Sequence, residues 1–549
     1  MPSRAPTVGR RAPDTMGVPV TSAPVTTQPD GQPQPEPVDE GALVAARRAK
    51  LEELRGRLGL EPFGRRTDGL DSCAAARARF DEAAHSAFEA WQQARKSDPS
   101  AVGEDRRAKV RIAGRVMQHR DLGKLVFFWL RDASGDLQVT VSKANVPEAE
   151  FALAKMLDYG DLVVAEGPVG RTNKGETCVW ASHAEIACKS LAPPPGKWHG
   201  LEDAEIRYRK RYVDMYSNPE TVKVFEQRSR IVSLVRRFME SRGYLEVETP
   251  MMQPMAGGAA ARPFVTTHNA LDMRLFLRIA PELYLKRLMV GGMRKVFEIN
   301  RNFRNEGVDR SHNPEFTAME AYEAFGDYMT MLEMVESLVH HVACAVAGCP
   351  EGGDGPVLPF GDLRIDYRRP FGRVAYGDLF RRAFGFDMRD RERVRAAGRE
   401  RRIENAGTLD HWLLVNELFE HGAEPLIDPQ RPTFVLDYPS AISPLTRPSR
   451  TDPEIAERWD LFIGGMEVGP AYTELNDPDV QLAKFTEQLA GADDEEGTFR
   501  SLDQDFIESL RAGMPPAGGM GMGIDRLVML MTNSQSIRDV ILFPLMRPE

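Results

Sequence analysis

The sequence predicts an α+β protein in which a small β-barrel precedes a larger region of mixed helices and strands. Between residues 109 and 190, short apolar strands follow one another and are separated by turn residues such as Gly123 and Gly135. From residue 195 onward, helical periods of 3.6 residues alternate with strand-like periods of two. The 549-residue chain is 42% hydrophobic and 28% charged, which is typical of globular domains large enough to bury a core.

The composition excludes several classes of protein. A formal net charge of −10 excludes a protein that coats nucleic acid with a uniformly basic surface, because such binding scales with the phosphates it neutralises. No apolar run approaches the roughly 18 residues that span a bilayer, so we expect no membrane partner. The five cysteines are an odd number without a CxxC pair, which indicates a reduced, cytoplasmic protein without a disulfide framework or a zinc cluster.

The N-terminal region has two parts of different composition. Residues 1–40 are rich in proline and poor in large apolar side chains, so we expect a disordered tail. Residues 41–105 read as a basic helical extension, with one helix that ends near Gly59 and a second over about residues 72–95. The basic side chains of the first helix face either solvent or the phosphates of an RNA.

Residues 106–192 predict an OB-fold, a small barrel whose face binds oligonucleotides. Five strands are expected, with a helix between the third and the fourth, which is the element order of that fold. On the second strand Phe127, Phe128 and Trp129 are adjacent, and strand alternation sends Phe128 to the face opposite the other two. At least one ring should therefore lie outside the barrel core, where it can stack on a base.

Residues 193–549 contain three separated segments with residues suited to chemistry. The first is GYLEVETPMM, near 243–252, where a helix and a strand end. The second, near 295–322, reads as a strand, a loop rich in Arg, Asn and Glu, and a returning strand. The third, near 518–530, is a glycine-rich stretch followed by an apolar helix, and glycines allow a ligand to approach the backbone closely.

The returning strand of the second segment indicates a binding site. Phe316, Ala318, Glu320 and Tyr322 share one face because side chains alternate along a strand. A ring, a carboxylate and a phenol on one face suit a dry core poorly. This face is therefore expected to line a site.

In this order, the three segments resemble the three signature motifs of class II aminoacyl-tRNA synthetases. The stretches FEINRNFRNEG, HNPEFTAMEAY and FIGGMEVGPAYTELND narrow the match, because they closely resemble the lysyl-tRNA synthetases of class II in their bacterial form. The resemblance covers the chain from about residue 42 to its end. It implies a catalytic domain with an antiparallel sheet and flanking helices, preceded by an OB-fold barrel for the anticodon.

The resemblance also implies an activity and its partners. L-lysine is activated by ATP to lysyl-adenylate with release of pyrophosphate, and is then transferred to the 3′ end of tRNA(Lys) for translation. Mg²⁺ is the expected cofactor. A homodimer is implied because motif 1 lies at a two-fold interface in the family.

By match to the family's motifs, site roles are expected at particular positions. Catalysis is assigned to Arg304 and Arg526. ATP binding is assigned to Arg304, Glu306, His312, Phe316, Glu467, Gly523 and Arg526. Lysine binding is assigned to Gly258, Glu282, Arg304, Glu320, Tyr322, Tyr472 and Glu474. Metal binding is assigned to Asp460 and Glu467, and anticodon binding to Arg115, Phe127, Gln138 and Glu185.

Two positions depart from the family's pattern. Pro470 stands where the family usually has an asparagine that helps to bind lysine, and proline has neither a side-chain amide nor a backbone donor. We therefore expect a weaker or rearranged lysine site, and a paralogue with altered or lost lysine activation stays open as an alternative. Asp460 is one methylene shorter than the usual glutamate, which leaves the metal assignment in place.

Strand geometry raises a question about two of the assigned carboxylates. Glu467 and Glu474 are seven residues apart, so an unbroken strand would point them to opposite faces. Both serve one cleft only if the strand bulges between them, and Gly469-Pro470 is the expected place.

An aspartyl- or asparaginyl-tRNA synthetase of the same subclass is the other alternative. Its pocket would need a cation for a carboxylate or a reader of an amide, whereas Glu282, Glu320 and Glu474 predict an anionic pocket. A relative that attaches a lysine-like group to a protein would lack the barrel. A catalytically silent RNA-binding protein disagrees with the intact Arg304, Glu467 and Arg526.

Overall fold

The computed structural model of the chain describes residues 40–193, 203–258, 261–350, 354–490 and 502–548. The tail predicted over residues 1–40 lies outside the described residues, apart from its last position. The chain divides into two compact units, one ending at Pro194 and one beginning at Pro195. In the described residues no helix is both long enough and apolar enough to cross a membrane.

The first unit begins with three helices, α1 (Glu40–Gly56), α2 (Cys73–Ala78) and α3 (Glu82–Ser97). The single helix predicted over residues 72–95 is wrong, because α2 and α3 are separate. The carboxylate of Asp81 caps α3 by accepting hydrogen bonds from the backbone N–H groups of Ala83 and Ala84, which starts a new helix there. Arg47 of α1 is buried and donates to the carbonyls of Tyr159 and Ser190, so it faces neither solvent nor an RNA.

A closed sheet forms the barrel of the first unit. Its strands are β1 (Lys109–Asp121), β2 (Leu125–Asp132), β3 (Gly135–Ser142), β4 (Leu162–Arg171), β5 (Thr177–Ala181) and β6 (His183–Cys188). The strand order is β1-β2-β3-β5-β4-β6, and β1 also pairs with β4, which closes the barrel. Helix α4 (Glu148–Met156) lies between β3 and β4, as predicted. The predicted fifth strand is divided at Ser182 into β5 and β6.

The aromatic side chains of β2 lie on both faces of that strand. Phe128 has no exposed surface and belongs to the barrel core, whereas Phe127 and Trp129 are half-buried on the outer face. The prediction that at least one ring lies outside the core is confirmed.

The second unit contains a larger set of strands. They are β7 (Leu245–Glu246), β8 (Met252–Gln253), β9 (Val265–His268), β10 (Met273–Leu277), β11 (Lys295–Phe303), β12 (Glu315–Ala324), β13 (Val357–Phe360), β14 (Leu363–Asp366), β15 (Gly372–Ala375), β16 (Thr433–Leu436), β17 (Arg458–Ile463), β18 (Met466–Thr473) and β19 (Ala517–Gly523). Eight of them form one sheet in the order β15-β16-β17-β18-β19-β12-β11-β7. Only its end pairs, β15 with β16 and β11 with β7, are parallel. The predicted antiparallel class II sheet is thereby confirmed.

Helices cover one face of this sheet. The helices of the second unit are α5 (Ala204–Arg209), α6 (Arg211–Ser217), α7 (Pro219–Ser241), α8 (Glu282–Val290), α9 (Tyr328–Ala347), α10 (Tyr376–Phe384), α11 (Arg391–Glu400), α12 (His411–Leu418), α13 (Pro478–Ala490), α14 (Gln504–Gly513), α15 (Ile524–Thr532) and α16 (Ile537–Val540). The apolar sides of α7, α9 and α15 pack on Met319 and Ala321 of β12. Side chains at the alternate positions of β12 therefore face away from this core.

A β-bulge interrupts the pairing of β17 with β18. Glu467 pairs with Phe462 and Gly469 pairs with Leu461, so Val468 is the extra residue. The bulge was predicted at Gly469-Pro470, and the structure places it one residue closer to Glu467. A bulge re-aims the side chains on its two sides relative to each other.

Candidate active site

A cleft lies over the face of the large sheet opposite α7, α9 and α15. The predicted site residues that line it are Gly258, Glu282, Arg304, Glu306, His312, Phe316, Glu320, Tyr322, Glu467, Tyr472, Gly523 and Arg526. Asp460 and Glu474 do not line the cleft and are buried next to it. Residues of the second and third motifs, which are far apart in the chain, thus meet at one place.

Arg304 lies at the start of the loop between β11 and β12. Its guanidinium carbon is 5.2 Å from the centre of the Phe316 ring, and its Nε is buried without a hydrogen-bond partner among the described residues. A buried guanidinium N–H without a protein partner is costly, which favours an anionic ligand at this position.

Arg526 connects the first turn of α15 to the loop between β11 and β12. Its guanidinium donates to the backbone carbonyl of Glu467 at 2.5 Å and to Nε2 of His312 at 3.1 Å. Nδ1 of His312 lies 2.8 Å from a carboxylate oxygen of Asp309. Because Nε2 accepts a hydrogen bond, the geometry assigns the imidazole proton to Nδ1, which donates it to Asp309.

Asp525 fixes the start of α15 against β12. One carboxylate oxygen accepts the backbone N–H of Thr317 at 2.7 Å, and the other lies 2.5 Å from the guanidinium of Arg228. Asp525 is buried, so this ion pair is shielded from water. Arg526 is thereby held at the edge of the cleft by its neighbour in the chain.

The other end of the cleft is rich in carboxylates. The hydroxyl of Tyr322 donates to Oε2 of Glu320 at 3.3 Å. Burial, and next the nearby carboxylate of Glu282, raise the pKa of Glu320 to about 8. Glu320 therefore resists ionisation until a cation is supplied.

Lys286 is a residue that sequence reasoning missed. It is fully buried on α8, with its Nζ 2.7 Å from Oε1 of Glu282 and 2.5 Å from Oε2 of Glu474. Burial acts to lower the pKa of Lys286, but the two carboxylates outweigh it and raise that pKa above its usual value. Burial raises the pKa of Glu474 to about 8, although Lys286 acts in the opposite direction. The spacing of Glu282 and Lys286 by four residues is a helical ion-pair signal that could have indicated this contact.

A second buried ion pair lies beside Glu320 on the same face of the sheet. Nη1 of Arg278 is 2.6 Å from Oε1 of Glu298, and the hydroxyl of Thr249 donates to Oε2 of Glu298 at 2.7 Å. Glu298 pairs with Glu320 across β11 and β12. Thr249 belongs to the first motif and Glu298 to the second, so this network ties the two motifs together.

Two buried amides were also missed. Asn302 and Asn313 line the cleft, and the side-chain oxygen of each has no hydrogen-bond partner among the described residues. Asn302 pairs with Phe316 across β11 and β12, so both side chains point to the same face. Strand alternation on β11 could have identified Asn302, because it shares the face of Glu298.

The two carboxylates assigned to a metal differ in their surroundings. Both oxygens of Asp460 are occupied, because Nε and Nη2 of Arg458 donate to them at 2.9 and 2.7 Å. The side chain of Glu467 is open to the cleft, although the surrounding protein and next Asp460 still raise its pKa. Within the described ranges, no three His, Cys, Asp or Glu side chains form a group that could hold a metal ion. Glu467 therefore fits a Mg²⁺ that is bound mainly through phosphates, whereas Asp460 would have to leave Arg458 to act as a direct ligand, and its assignment to the metal stays a prediction.

Pro470 lines the cleft on β18. Its Cα is opposite that of Asp460 on β17. The expectation that this proline weakens lysine binding stays a prediction.

On the first unit, three of the predicted anticodon residues lie on the outer faces of β1 to β3. Gln138 is paired with Trp129 across β3 and β2, and Oε1 of Gln138 is buried without a partner among the described residues. Arg115 donates to the carbonyl of Gly160 at 2.7 Å. Phe127 presents a half-buried ring on this surface.

Glu185, the fourth predicted anticodon residue, lies on β6. Its carboxylate accepts from Arg111 of β1 at 3.2 Å. Arg111 and Trp129 are not among the residues assigned to the anticodon, although alternation from Arg115 and Phe127 places them on the same faces.

Comparison with known proteins places both units in described families. A family model described as tRNA synthetases class II (D, K and N) matches residues 203–547, and one described as an OB-fold nucleic acid binding domain matches residues 110–191. The chain is 45% identical over 519 residues to a lysine–tRNA ligase from Pelotomaculum thermopropionicum, which covers 93% of this chain and 96% of that protein. It is likewise 45% identical over 532 residues to a lysine–tRNA ligase from Bordetella bronchiseptica, which covers 95% of this chain and 99% of that one.

Proposed function

Since the chain belongs to the lysine–tRNA ligases of the class II aminoacyl-tRNA synthetase family, we propose how its own residues perform that reaction. The observation that carries the proposal is the polarity of the cleft. Arginines line one end and carboxylates line the other, which suits a triphosphate beside an amino acid with two ammonium groups.

The arginine end receives ATP. Arg304 holds the α-phosphate and the lysine carboxylate as charge builds up between them, which is supported by its buried, unpartnered Nε. Phe316 stacks on the adenine, and Arg526 covers the opposite side of the base and approaches the γ-phosphate. Attack of the lysine carboxylate on the α-phosphate needs positioning and charge neutralisation, and no protein nucleophile.

The other residues of this end complete the nucleotide site. Glu306 and His312 contact the nucleotide from the loop between β11 and β12, and Gly523 admits it beside α15. His312 already bonds to Arg526, so ATP has to replace or share that contact.

The carboxylate end receives lysine. Gly258 and Glu282 bind the α-amino group, while Glu320, Tyr322 and Glu474 surround the ε-ammonium. Tyr472 lines the side of the pocket. A neutral side chain would leave buried carboxylates without a cation, which costs several kcal/mol, so the pocket rejects it.

Mg²⁺ is the divalent ion that we assign to the phosphates of ATP. Glu467 on β18 would hold it, and the ion would neutralise part of the phosphate charge. Asp460 is held in an ion pair by Arg458, and its charge raises the pKa of Glu467.

The partners follow from the two units. The barrel binds the anticodon of tRNA(Lys) through Arg115, Phe127, Gln138 and Glu185, with Phe127 stacking on a base. We propose a homodimer formed through the first motif. We also place the enzyme in the cytoplasm, which is supported by five cysteines that are all unpaired.

Amino-acid-dependent exchange of pyrophosphate into ATP, followed by charging of tRNA(Lys), tests this function. We expect exchange with lysine and none with aspartate or asparagine. Arg304→Ala should lower the exchange rate at least about a hundredfold, since it removes a charge from the reacting phosphate. Arg310 lies in the same loop but does not line the cleft, so Arg310→Ala should stay close to wild type. Exchange that depends on aspartate or asparagine, or none with lysine, would overturn the proposal.

A further inference from the structure

The carboxylate end of the cleft holds more negative charge than bound lysine can match. Glu282, Glu320 and Glu474 supply three carboxylates, and Glu298 is already neutralised by Arg278 at 2.6 Å. Lysine has two ammonium groups, while its own carboxylate is taken up by Arg304. One negative charge is therefore left over, and an unmatched charge in a buried pocket is costly.

The surplus charge has a counterpart in the protein. Lys286 is fully buried, with Nζ at 2.7 Å from Glu282 and 2.5 Å from Glu474. Glu282 lines the cleft, whereas Glu474 and Lys286 do not, so the Nζ of Lys286 lies behind the wall of the cleft together with Glu474. The two carboxylates that it joins are those assigned to opposite ends of the substrate, the α-amino group and the ε-ammonium.

We propose that Lys286 is a positioning residue that sets the net charge of the protein groups around bound lysine at −2, matched to its two ammonium groups, and holds Glu282 and Glu474 at a fixed separation. This inference rests on the proposed function. It adds a specificity determinant, because a pocket with −2 in place of −3 prefers a substrate with two cationic groups.

The first unit contains the same arrangement away from any cleft residue. Lys189 is buried, with Nζ 2.6 Å from Asp158 and 2.9 Å from Asp161. A buried lysine between two carboxylates can thus be purely structural, and Lys189 provides the matched control.

Three variants test the charge count through the KM for lysine and the KM for ATP in pyrophosphate exchange. With Glu320 and Glu282 kept, Lys286→Met leaves −3, Glu474→Gln leaves −1, and the double variant returns to −2. Lys286→Met should raise the lysine KM at least about tenfold with the ATP KM within about twofold, because only the amino-acid end changes. Lys189→Met should change neither KM, whatever its effect on stability.

The double variant decides between a charge-setting and a structural role. If Lys286 sets the charge, removing it from Glu474→Gln restores −2, and the lysine KM should fall at least about threefold below that of the single variant. If Lys286 is only structural, the double variant binds lysine no better than Glu474→Gln, and the proposal is overturned. The double variant also removes the 2.5 Å pair as a unit, so it carries the test even if Lys286→Met does not fold. Failure of the proposed function would differ from either result, because the wild-type enzyme itself would show no lysine-dependent exchange.

Discussion

The pKa of Glu320 decides at which pH the pocket accepts an ammonium group. Its pKa is raised to about 8, so at lower pH most of the free enzyme carries the neutral acid. Lysine binding needs the carboxylate, so the proton has to leave first. We expect kcat/KM for lysine in pyrophosphate exchange to rise about tenfold per pH unit between pH 6 and 7.5, and to level off above about 8.

The same profile for ATP serves as the control for Glu320. The kcat/KM for ATP, measured at saturating lysine, should lack this acid limb because Glu320 is then already ionised by the bound ammonium. Glu320→Gln should lower kcat/KM for lysine at least about a hundredfold, and any acid limb that remains should be the one set by Glu474, whose pKa is also raised to about 8. A profile for lysine that is flat from pH 6.5 to 8.5 would contradict the assignment of Glu320.

Single residues also show how far sequence reasoning reaches. The shared face of Phe316, Glu320 and Tyr322 was predictable, because it depends only on strand alternation. The burial of Lys286 was not, because its second partner, Glu474, is far along the chain and meets it only through the fold. A lysine on a helix is usually solvated, and local sequence carries no sign that this one is enclosed.

Among the elements, β19 contributes glycines to the site, and the space that these glycines leave is occupied by neighbouring side chains. A Cβ at Gly519 would overlap Oε1 of Glu474 and lie 2.5 Å from Cε1 of Tyr322. Gly519→Ala should therefore displace the ε-ammonium site and raise the lysine KM at least about tenfold, because added volume in a packed site forces its neighbours to shift. The ATP KM in the same exchange assay should stay within about twofold.

Gly521, two residues along the same strand, is the matched control. A Cβ there would have no neighbour closer than 3.9 Å, so Gly521→Ala should change the lysine KM less than about threefold. If both substitutions raised the lysine KM equally, β19 would simply tolerate no side chain at either position. The proposed effect of Gly519 on Glu474 would then be wrong.

The kinds of element were predictable, while their exact ends and irregularities were not. The strand, loop and strand of the second motif follow from apolar alternation and a polar loop. The break between α2 and α3 depends on the cap at Asp81, which competes with a continuous helical pattern. The bulge at Val468 depends on pairing with β17, and only the need for one was visible from the spacing of Glu467 and Glu474.

For the whole molecule, we expect a substitution on the anticodon surface of the first unit to affect the charging of tRNA and to leave the activation of lysine in the second unit unchanged. Phe127 lies on the outer face of the barrel, so Phe127→Ala should remove one stacked base, which is worth about 1–3 kcal/mol. The kcat/KM for tRNA(Lys) in charging should fall about 10- to 100-fold, while lysine-dependent pyrophosphate exchange should not change.

Phe63, a part-exposed ring beside Cys188 at the end of β6, is the control for Phe127. Phe63→Ala should leave both assays close to wild type. If Phe127→Ala lowered exchange as much as charging, the assignment of this surface to the anticodon would fail.

The arginine end of the cleft is exposed and its carboxylate end is buried. This difference affects the order in which substrates bind and products leave. Glu306 and His312 are exposed at its arginine end, whereas Tyr322 and Glu474 are buried at its carboxylate end. With ATP at the outer end and lysine at the inner end, as we propose, a bound nucleotide would block the way to the inner end, so we expect the amino acid to bind first. Pyrophosphate, formed near the mouth, can depart while the mixed anhydride stays behind. The buried end of the cleft thus protects this reactive anhydride from hydrolysis until the 3′ end of the tRNA reacts with it.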